Sequence, residues 1–241
     1  MGLYRFKKRL KIRLQHYLLR GSDVTCTVCG YSYKHFIPYL GRPNAQCPNC
    51  GSLERVRLIQ KFITDFQLID KNTRLLHIAP EKALYKIFRK QLGSNYIPAD
   101  KFEEGYTYPK STQHVDITAL PYADESMDAV ICIHVLEHVQ DDAKAIAEIY
   151  RVIKKGGFAI LQVPYDVDRA ATYEDASITS PEERRKHFLQ SDHVRIYGRD
   201  YLERFLQPGF QVELGDYSKN LGIATREKYG LKDEEIFLLR K

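Results

Sequence analysis

From residue 74 onward the chain alternates short, continuous apolar runs with stretches in which apolar residues return every three or four positions. The runs RLLHIA (74–79), NYIPA (95–99), DAVICI (128–133) and FAILQV (158–163) have the length of buried strands. The periodic stretches at about 82–92 and 142–154 predict amphipathic helices between them. Strand and helix alternating in this way predict an α/β fold of βαβ units, a mostly parallel sheet with helices on both faces. Ligands of such sheets gather at the carboxyl ends of the strands, which here carry residues 77–81, Asp100, residues 134–138 and 164–166.

Upstream the pattern changes. Leu53, Val56, Ile59, Ile63 and Phe66 share one face of a predicted helix, with Ser52 as its expected N-cap. Near the start, Leu3, Phe6, Leu10, Leu14, Tyr17 and Leu18 recur at helical spacing, with Arg5, Lys8, Arg9, Lys11 and Arg13 mostly elsewhere around the helix. This predicts a basic amphipathic helix over residues 1–22, which can lie on an anionic membrane surface, touch RNA, or pack its apolar stripe on its own domain.

Charge sharpens that division. Residues 1–20 hold seven Lys or Arg and no acid, which leaves 30 basic against 31 acidic residues in the rest of the chain. The body is near neutral and its pI implies no general affinity for nucleic acid. No stretch approaches the roughly 20 apolar residues that span a bilayer. The basic start is not followed by the apolar run and small-residue site of a signal peptide, and Phe6 occupies the position that myristoylation reserves for Ser or Thr. A cytoplasmic chain, with peripheral membrane contact through residues 1–20, is the expectation.

Four of the five cysteines fall into two C-x2-C pairs, Cys26/Cys29 and Cys47/Cys50, with seventeen residues between the pairs. Two residues between ligands let one turn aim both sulfurs at one ion, and two such turns complete a tetrahedron. A glycine follows each pair, as a turn of positive φ requires. The pattern predicts a zinc ribbon over residues 23–55 with a structural Zn2+, since four protein ligands leave no open position. The aromatic and basic residues between the pairs are expected to fill the small module's core.

The run VDITALPYADESMDAVICIHVLEHVQDDAKAIAEIYRVIKKGGFAILQVP resembles the central stretch of class I S-adenosylmethionine-dependent methyltransferases: an Asp, a Leu-Pro pair, an acidic turn, a strand, an LEH-type segment, and a helix ending in Lys-Gly-Gly before the next strand. The whole chain is similar to a narrower group in which a CPxCGSxER module precedes an LHxAPE segment and a later FxQxDHxRxYGxDY stretch, here Phe188 to Tyr201. The resemblance implies a Rossmann-like methyltransferase domain over residues 56–241, with an insertion at about 165–200 that forms a substrate lid. It implies S-adenosylmethionine as cofactor, with Asp100 on the ribose hydroxyls, Asp116 and Ile117 flanking adenine, and His134 near the methionine end. The family's acid and GxG turn is replaced by the run His77 to Glu81, so that Ala79, Pro80 and Glu81 stand where the cofactor passes and Glu81 can face its ammonium group.

His134, Glu137 and His138 also fit an H-x-x-E-H zinc-peptidase pattern, but a strand running directly into His134 keeps the two rings off one helical face. Ubiquinone-type O-methyltransferases carry a similar ExxEH segment that can hold a divalent ion. Here the three side chains can do that, act as general base, or cap and orient the helix. In the insertion, Asp192, His193, Arg195 and Tyr197 are candidates for acceptor binding, against a structural ion-pair network of Arg184, Arg185 and Asp192. Cys132 reads as core. The expected reaction moves a methyl group to oxygen or nitrogen of a small-molecule or glycan-like acceptor, with Glu137, His138 and His193 as the catalytic set. The alternative is a non-catalytic binding or scaffold protein that contacts RNA or an anionic membrane surface.

Overall fold

The computed structural model describes residues 14–102, 107–215 and 217–241. Residues 1–13 of the predicted N-terminal helix lie outside the described residues. The chain forms two compact units that cut across chain order. One holds Met1–Lys71, Glu81–Gln91 and Asp216–Glu235; the other holds Asn72–Pro80, Leu92–Gly215 and Ile236–Lys241.

Among the described residues, the first element of the first unit is the helical stretch α1 (residues 14–18). Two antiparallel hairpins follow, β1 (Arg20–Thr25) with β2 (Ser32–Tyr33), and β3 (Ile37–Tyr39) with β4 (Arg42–Gln46). Tyr33 and Phe36 are fully buried, as expected of aromatics in so small a module, whereas Tyr31 and Leu40 face solvent. Helices α2 (Glu54–Asp65) and α3 (Lys82–Leu92) complete the larger elements. The buried face of α2 is Val56, Arg57, Leu58, Ile59, Phe62 and Ile63. Phe66, expected on that face, is exposed because the helix has already ended at Asp65. Nor does Ser52 cap α2: the N-cap is Leu53, which has no side-chain bond, and Ser52 turns toward the cysteines.

Arg57 is the unexpected member of this core. Its side chain is completely buried. Nη1 donates to the carbonyls of Ala45 (2.9 Å) and Ser52 (2.7 Å), Nε to those of Tyr229 (2.9 Å) and Gly230 (3.0 Å), and Nη2 to Gly230. The guanidinium lies 4.0 Å from the centroid of the Phe36 ring. A buried charge survives only with such full satisfaction. Gly230 has φ +53°, and a Cβ there would sit 2.6 Å from the Phe36 ring.

The second unit is built on a seven-stranded sheet. Its strands are β5 (Leu75–Ile78), β6 (Tyr96–Asp100), β7 (Gln113–His114), β8 (Met127–Ile133), β9 (Ile153–Gln162), β12 (Gln211–Leu214) and β13 (Phe237–Arg240), in the order β12-β13-β9-β8-β5-β6-β7. The pairs from β7 to β9 are parallel, and β13 runs antiparallel to both β9 and β12. The strands predicted from apolar runs are therefore the central ones, and β5 is buried along its whole length. Helix α4 (Asp142–Val152) starts on an Asp141 cap that accepts from Lys144 N at 2.9 Å. It packs Ala145, Ile146, Ile149 and Val152 into a core shared with Leu76, Val130 and Leu161.

Strand β9 starts five residues before the predicted run, because residues 154–157 bulge out of the β8 ladder between Met127 and Ala129. Gly157 is required there, since a Cβ would sit 2.7 Å from the Asp128 carbonyl oxygen. After β9 come the two-residue strands β10 (Tyr173–Glu174) and β11 (Arg195–Ile196), which pair antiparallel around α5 (Pro181–Phe188), and then α6 (Tyr201–Leu206). Ser180 caps α5 and Pro181 occupies its first turn.

Replacing Arg57 by Met removes the guanidinium donors from the carbonyls of Ala45, Ser52, Tyr229 and Gly230. We expect Arg57→Met to cost about 3–5 kcal/mol in urea unfolding, with Arg57→Lys recovering only part. A loss under about 1 kcal/mol would contradict this account of the first unit's core.

Candidate functional site

The order of the sheet reverses at β5, which lies between β6 and β8, and ligands of open parallel sheets bind where it does. Ile78 pairs in register with Ala99 on one side and Cys132 on the other, so Ala79, Asp100 and the residues after Cys132 share one rim. At that rim the backbone does something rare for residues with a Cβ. Ala79 has φ +50° and His134 φ +53°. Each turn is fastened to a neighbouring strand, Ala79 N to Ala99 O at 2.8 Å and His134 N to Gln162 O at 2.8 Å. The chain thus makes without glycine the left-handed turn that glycine ordinarily allows, and strain of this kind collects at ligand sites.

Pro80 is buried beside Ala79, and Asp100 ends β6 half-buried. Asp116 follows β7, and its Oδ1 accepts from both Thr118 N and Thr118 Oγ1 at 2.8 Å; those bonds hold the carboxyl below its usual range. Ile117 is buried. Glu81 lies in the first unit, where its carbonyl accepts from Tyr85 N at the start of α3.

Beyond β8, residues Leu136–His138 form a single 3-10 turn. His134 Nδ1 lies 3.1 Å from Glu137 Oε1, and His134 and His138 share no helical face. Glu137 is 1% exposed, and its Oε2 has no hydrogen-bond partner among the described residues. His138 is ringed by acceptors, with Nε2 4.0 Å from Glu137 Oε1 and Nδ1 3.3 Å from Asp192 Oδ2. Its ring meets that of buried His193 edge-on, centroids 4.7 Å apart. Ligand atoms of Glu137, His138 and His193 all lie within 4.8 Å of one another, close enough to share a metal ion or a proton. Burial, then the neighbouring His138 charge, lowers the pKa of His193 and favours its neutral form.

Two of the four insertion candidates do other work. Arg195 is buried and donates to the carbonyls of Leu136 (2.9 Å), Val139 (2.5 Å) and Gln140 (2.9 Å), and to Glu174 Oε2 (2.8 Å). Tyr197 donates its hydroxyl to Asp142 Oδ2 at 2.7 Å, and Arg204 joins Asp142 to Glu174. These side chains are spent inside the fold rather than offered to an acceptor. The expected Arg184, Arg185 and Asp192 network is replaced by this one: Asp192 turns to His138, and Arg184 Nε donates to the Ile178 carbonyl at 3.4 Å. Asp142, Glu174 and Arg204 went unnoticed in the sequence because their partners lie far along the chain.

In the first unit the four cysteines converge as their spacing predicts. Sγ–Sγ distances are 3.6 Å for Cys26–Cys50 and 3.7 Å for Cys29–Cys47, and all four sulfurs lie within 4.8 Å of one another. Tetrahedral zinc with bonds of about 2.3 Å places its sulfurs about 3.8 Å apart. All four are free thiols. Gly30 N donates to Cys26 O (2.8 Å) and Gly51 N to Cys47 O (3.0 Å), with φ +73° and +76° at the two glycines. Ser52 Oγ lies 3.2 Å from the sulfurs of Cys26 and Cys50. The donor set fits zinc. Cys132 is apart from it, buried in β8.

Residues 69–161 match the family model described as "Methyltransferase domain". A Mycolicibacterium smegmatis protein described as a probable S-adenosylmethionine-dependent methyltransferase is 30% identical over 79 residues, 32% of this chain and 31% of that one. A tRNA (carboxymethyluridine(34)-5-O)-methyltransferase of Arabidopsis thaliana is 42% identical over 66 residues, 26% of this chain and 15% of its own length. The chain thus spans under a third of these curated relatives. Among solved structures, a SAM-dependent methyltransferase from Archaeoglobus fulgidus superposes with a TM-score of 0.49 at 15% identity, covering 76% of this chain and 93% of that one. The segment matched by the methyltransferase-domain model, residues 69–161, runs from just before β5 into β9 and so takes in the central parallel strands of a Rossmann-like sheet.

Proposed function

We propose that this protein transfers a methyl group from S-adenosylmethionine to an oxygen or nitrogen of a small-molecule or glycan-like acceptor. The observation that carries the reading is the convergence, at one rim of the second unit, of left-handed turns at Ala79 and His134 with a buried carboxylate and two imidazoles just beyond β8. Ala79, Pro80 and Asp100 would hold the cofactor from the β5 and β6 side, Asp116 and Ile117 from the loop after β7, and His134 from β8. A carboxylate at position 100 offers two oxygens to a vicinal diol. When bound, S-adenosylmethionine supplies a methyl group on a positively charged sulfur.

The chain's own task is then to align the acceptor and take its proton. His193, held neutral by burial, is the group we assign to the proton, with Glu137 and His138 orienting it. Val194 N donates to Glu137 O at 2.9 Å, which fastens the insertion next to the turn that carries Glu137. The four cysteines have a separate role, as ligands of a structural zinc ion.

Calorimetry with S-adenosylhomocysteine tests the cofactor assignment. Asp100→Ala is expected to weaken binding about 10–100-fold, the worth of hydrogen bonds to a charged group, and absence of binding by the folded wild-type chain would overturn the reading in favour of a scaffold. With turnover followed as release of S-adenosylhomocysteine across a panel of sugars, alcohols and amines, His193→Ala should lower kcat by about 10²–10⁴ while leaving that affinity intact. Because the His193 pKa is lowered, it stays neutral at pH 7, and kcat should decline only as the pH falls below the ordinary histidine range. An unchanged kcat in His193→Ala removes it as the base. For the metal, one zinc per chain is expected, and chelation should abolish amide exchange protection across residues 23–55; retained protection would dismiss the zinc site.

A further inference from the structure

The described part of the N-terminal helix is fastened on one side and bare on the other. In α1, Leu14, Tyr17 and Leu18 are 57%, 70% and 65% exposed. They sit at i, i+3 and i+4, and so lie on one face. His16, on the roughly opposite face, is tied to the ribbon: its Nδ1 lies 2.8 Å from the Tyr33 hydroxyl, and its Nε2 accepts from Arg20 Nη2 at 3.0 Å. Arg20 in turn stands 4.2 Å from the centroid of the Tyr31 ring. The helix is therefore held with its apolar side outward, and the packing of that stripe on its own unit, one of the three expectations for this segment, does not occur at Leu14, Tyr17 or Leu18.

The same spacing runs back through the sequence to Leu10, Phe6 and Leu3, in a segment whose first twenty residues carry seven Lys or Arg and no acid. An aliphatic stripe flanked by cations matches one kind of surface. A single-stranded nucleic acid is gripped by flat aromatic faces on which bases stack, whereas two of the three outward side chains here are leucines. An anionic bilayer offers acyl chains to the leucines, an interface to Tyr17 and negative headgroups to the cations. No helix among the described residues is long and apolar enough to cross a membrane.

We propose that the N-terminal segment docks this protein on an anionic membrane surface, lying in the interface with Leu14, Tyr17 and Leu18 directed into the lipid. The ribbon, through His16 and Tyr33, sets which face of the helix meets the bilayer. This docking is independent of the methyl-transfer reading and needs neither cofactor nor acceptor.

Co-sedimentation of the full-length, zinc-loaded chain with vesicles tests it, using phosphatidylcholine alone or with phosphatidylglycerol at about three to one. The wild type should partition onto the mixed vesicles and not onto the neutral ones, and should release as salt is raised. The double variant Leu14→Asn/Leu18→Asn should partition about tenfold less or weaker still. Because both side chains are already exposed, its zinc content and thermal unfolding should match the wild type. Equal binding to neutral and anionic vesicles, or undiminished binding by the double variant, overturns the proposal. So does the remaining outcome, in which the chain ignores vesicles but binds a labelled single-stranded oligonucleotide in a salt-dependent way.

Discussion

The candidate site depends on one guanidinium that has almost no contact with water. Arg195, in the short strand β11, donates to the carbonyls of Leu136, Val139 and Gln140 around the Leu136–His138 turn and to the Glu174 carboxylate. A 3-10 turn has poor hydrogen-bond geometry of its own and seldom stands without help. Here the help comes from a residue about sixty positions away in the chain. Glu137, His138 and His193 face one another because Arg195 locks the strand that follows His193 onto the turn that carries the other two. The energetic logic is that of any buried cation: isolated it would be prohibitively costly, and fully bonded it specifies a single arrangement.

The first unit uses the same device for another purpose. Arg57 satisfies carbonyls on both sides of itself, those of Ala45 and Ser52 flanking the second cysteine knuckle and those of Tyr229 and Gly230 after the helix Gly222–Tyr229. Its own carbonyl accepts from Thr27, inside the first knuckle, at 2.7 Å. A small module has too little apolar surface to hold loops by burial alone, and so a rigid five-donor fork takes over. The two arginines hold the two side-chain clusters, one framing the four cysteines and the other framing the histidines.

The glycine-free turn after β5 shows how local sequence and backbone geometry can part company. A run of Ile78, Ala79, Pro80 and Glu81 carries no residue that favours positive φ, yet Ala79 occupies the left-handed region. Its amide is captured by Ala99 O on the neighbouring strand, and the buried proline that follows has its own φ fixed by its ring. The sheet, assembled from contacts far apart in the chain, supplies what the missing glycines would otherwise provide.

What the sequence determined by itself is whatever rests on periodicity and spacing. Apolar runs of strand length located β5, β6, β8 and the buried part of β9, and C-x2-C pairs with their following glycines located the cysteine cluster, because in both cases the physical cause lies within a few consecutive residues. Tertiary structure decided the rest. Whether Ser52 would cap a helix or approach the Cys26 sulfur, whether Arg195 and Tyr197 would face an acceptor or lock the loops, and whether the stripe at Leu14, Tyr17 and Leu18 would be covered or left bare all turned on partners 17 to 59 residues away. A polar side chain bonds to the nearest group that satisfies it, and which group that is becomes defined only once the sheet and the ribbon have formed.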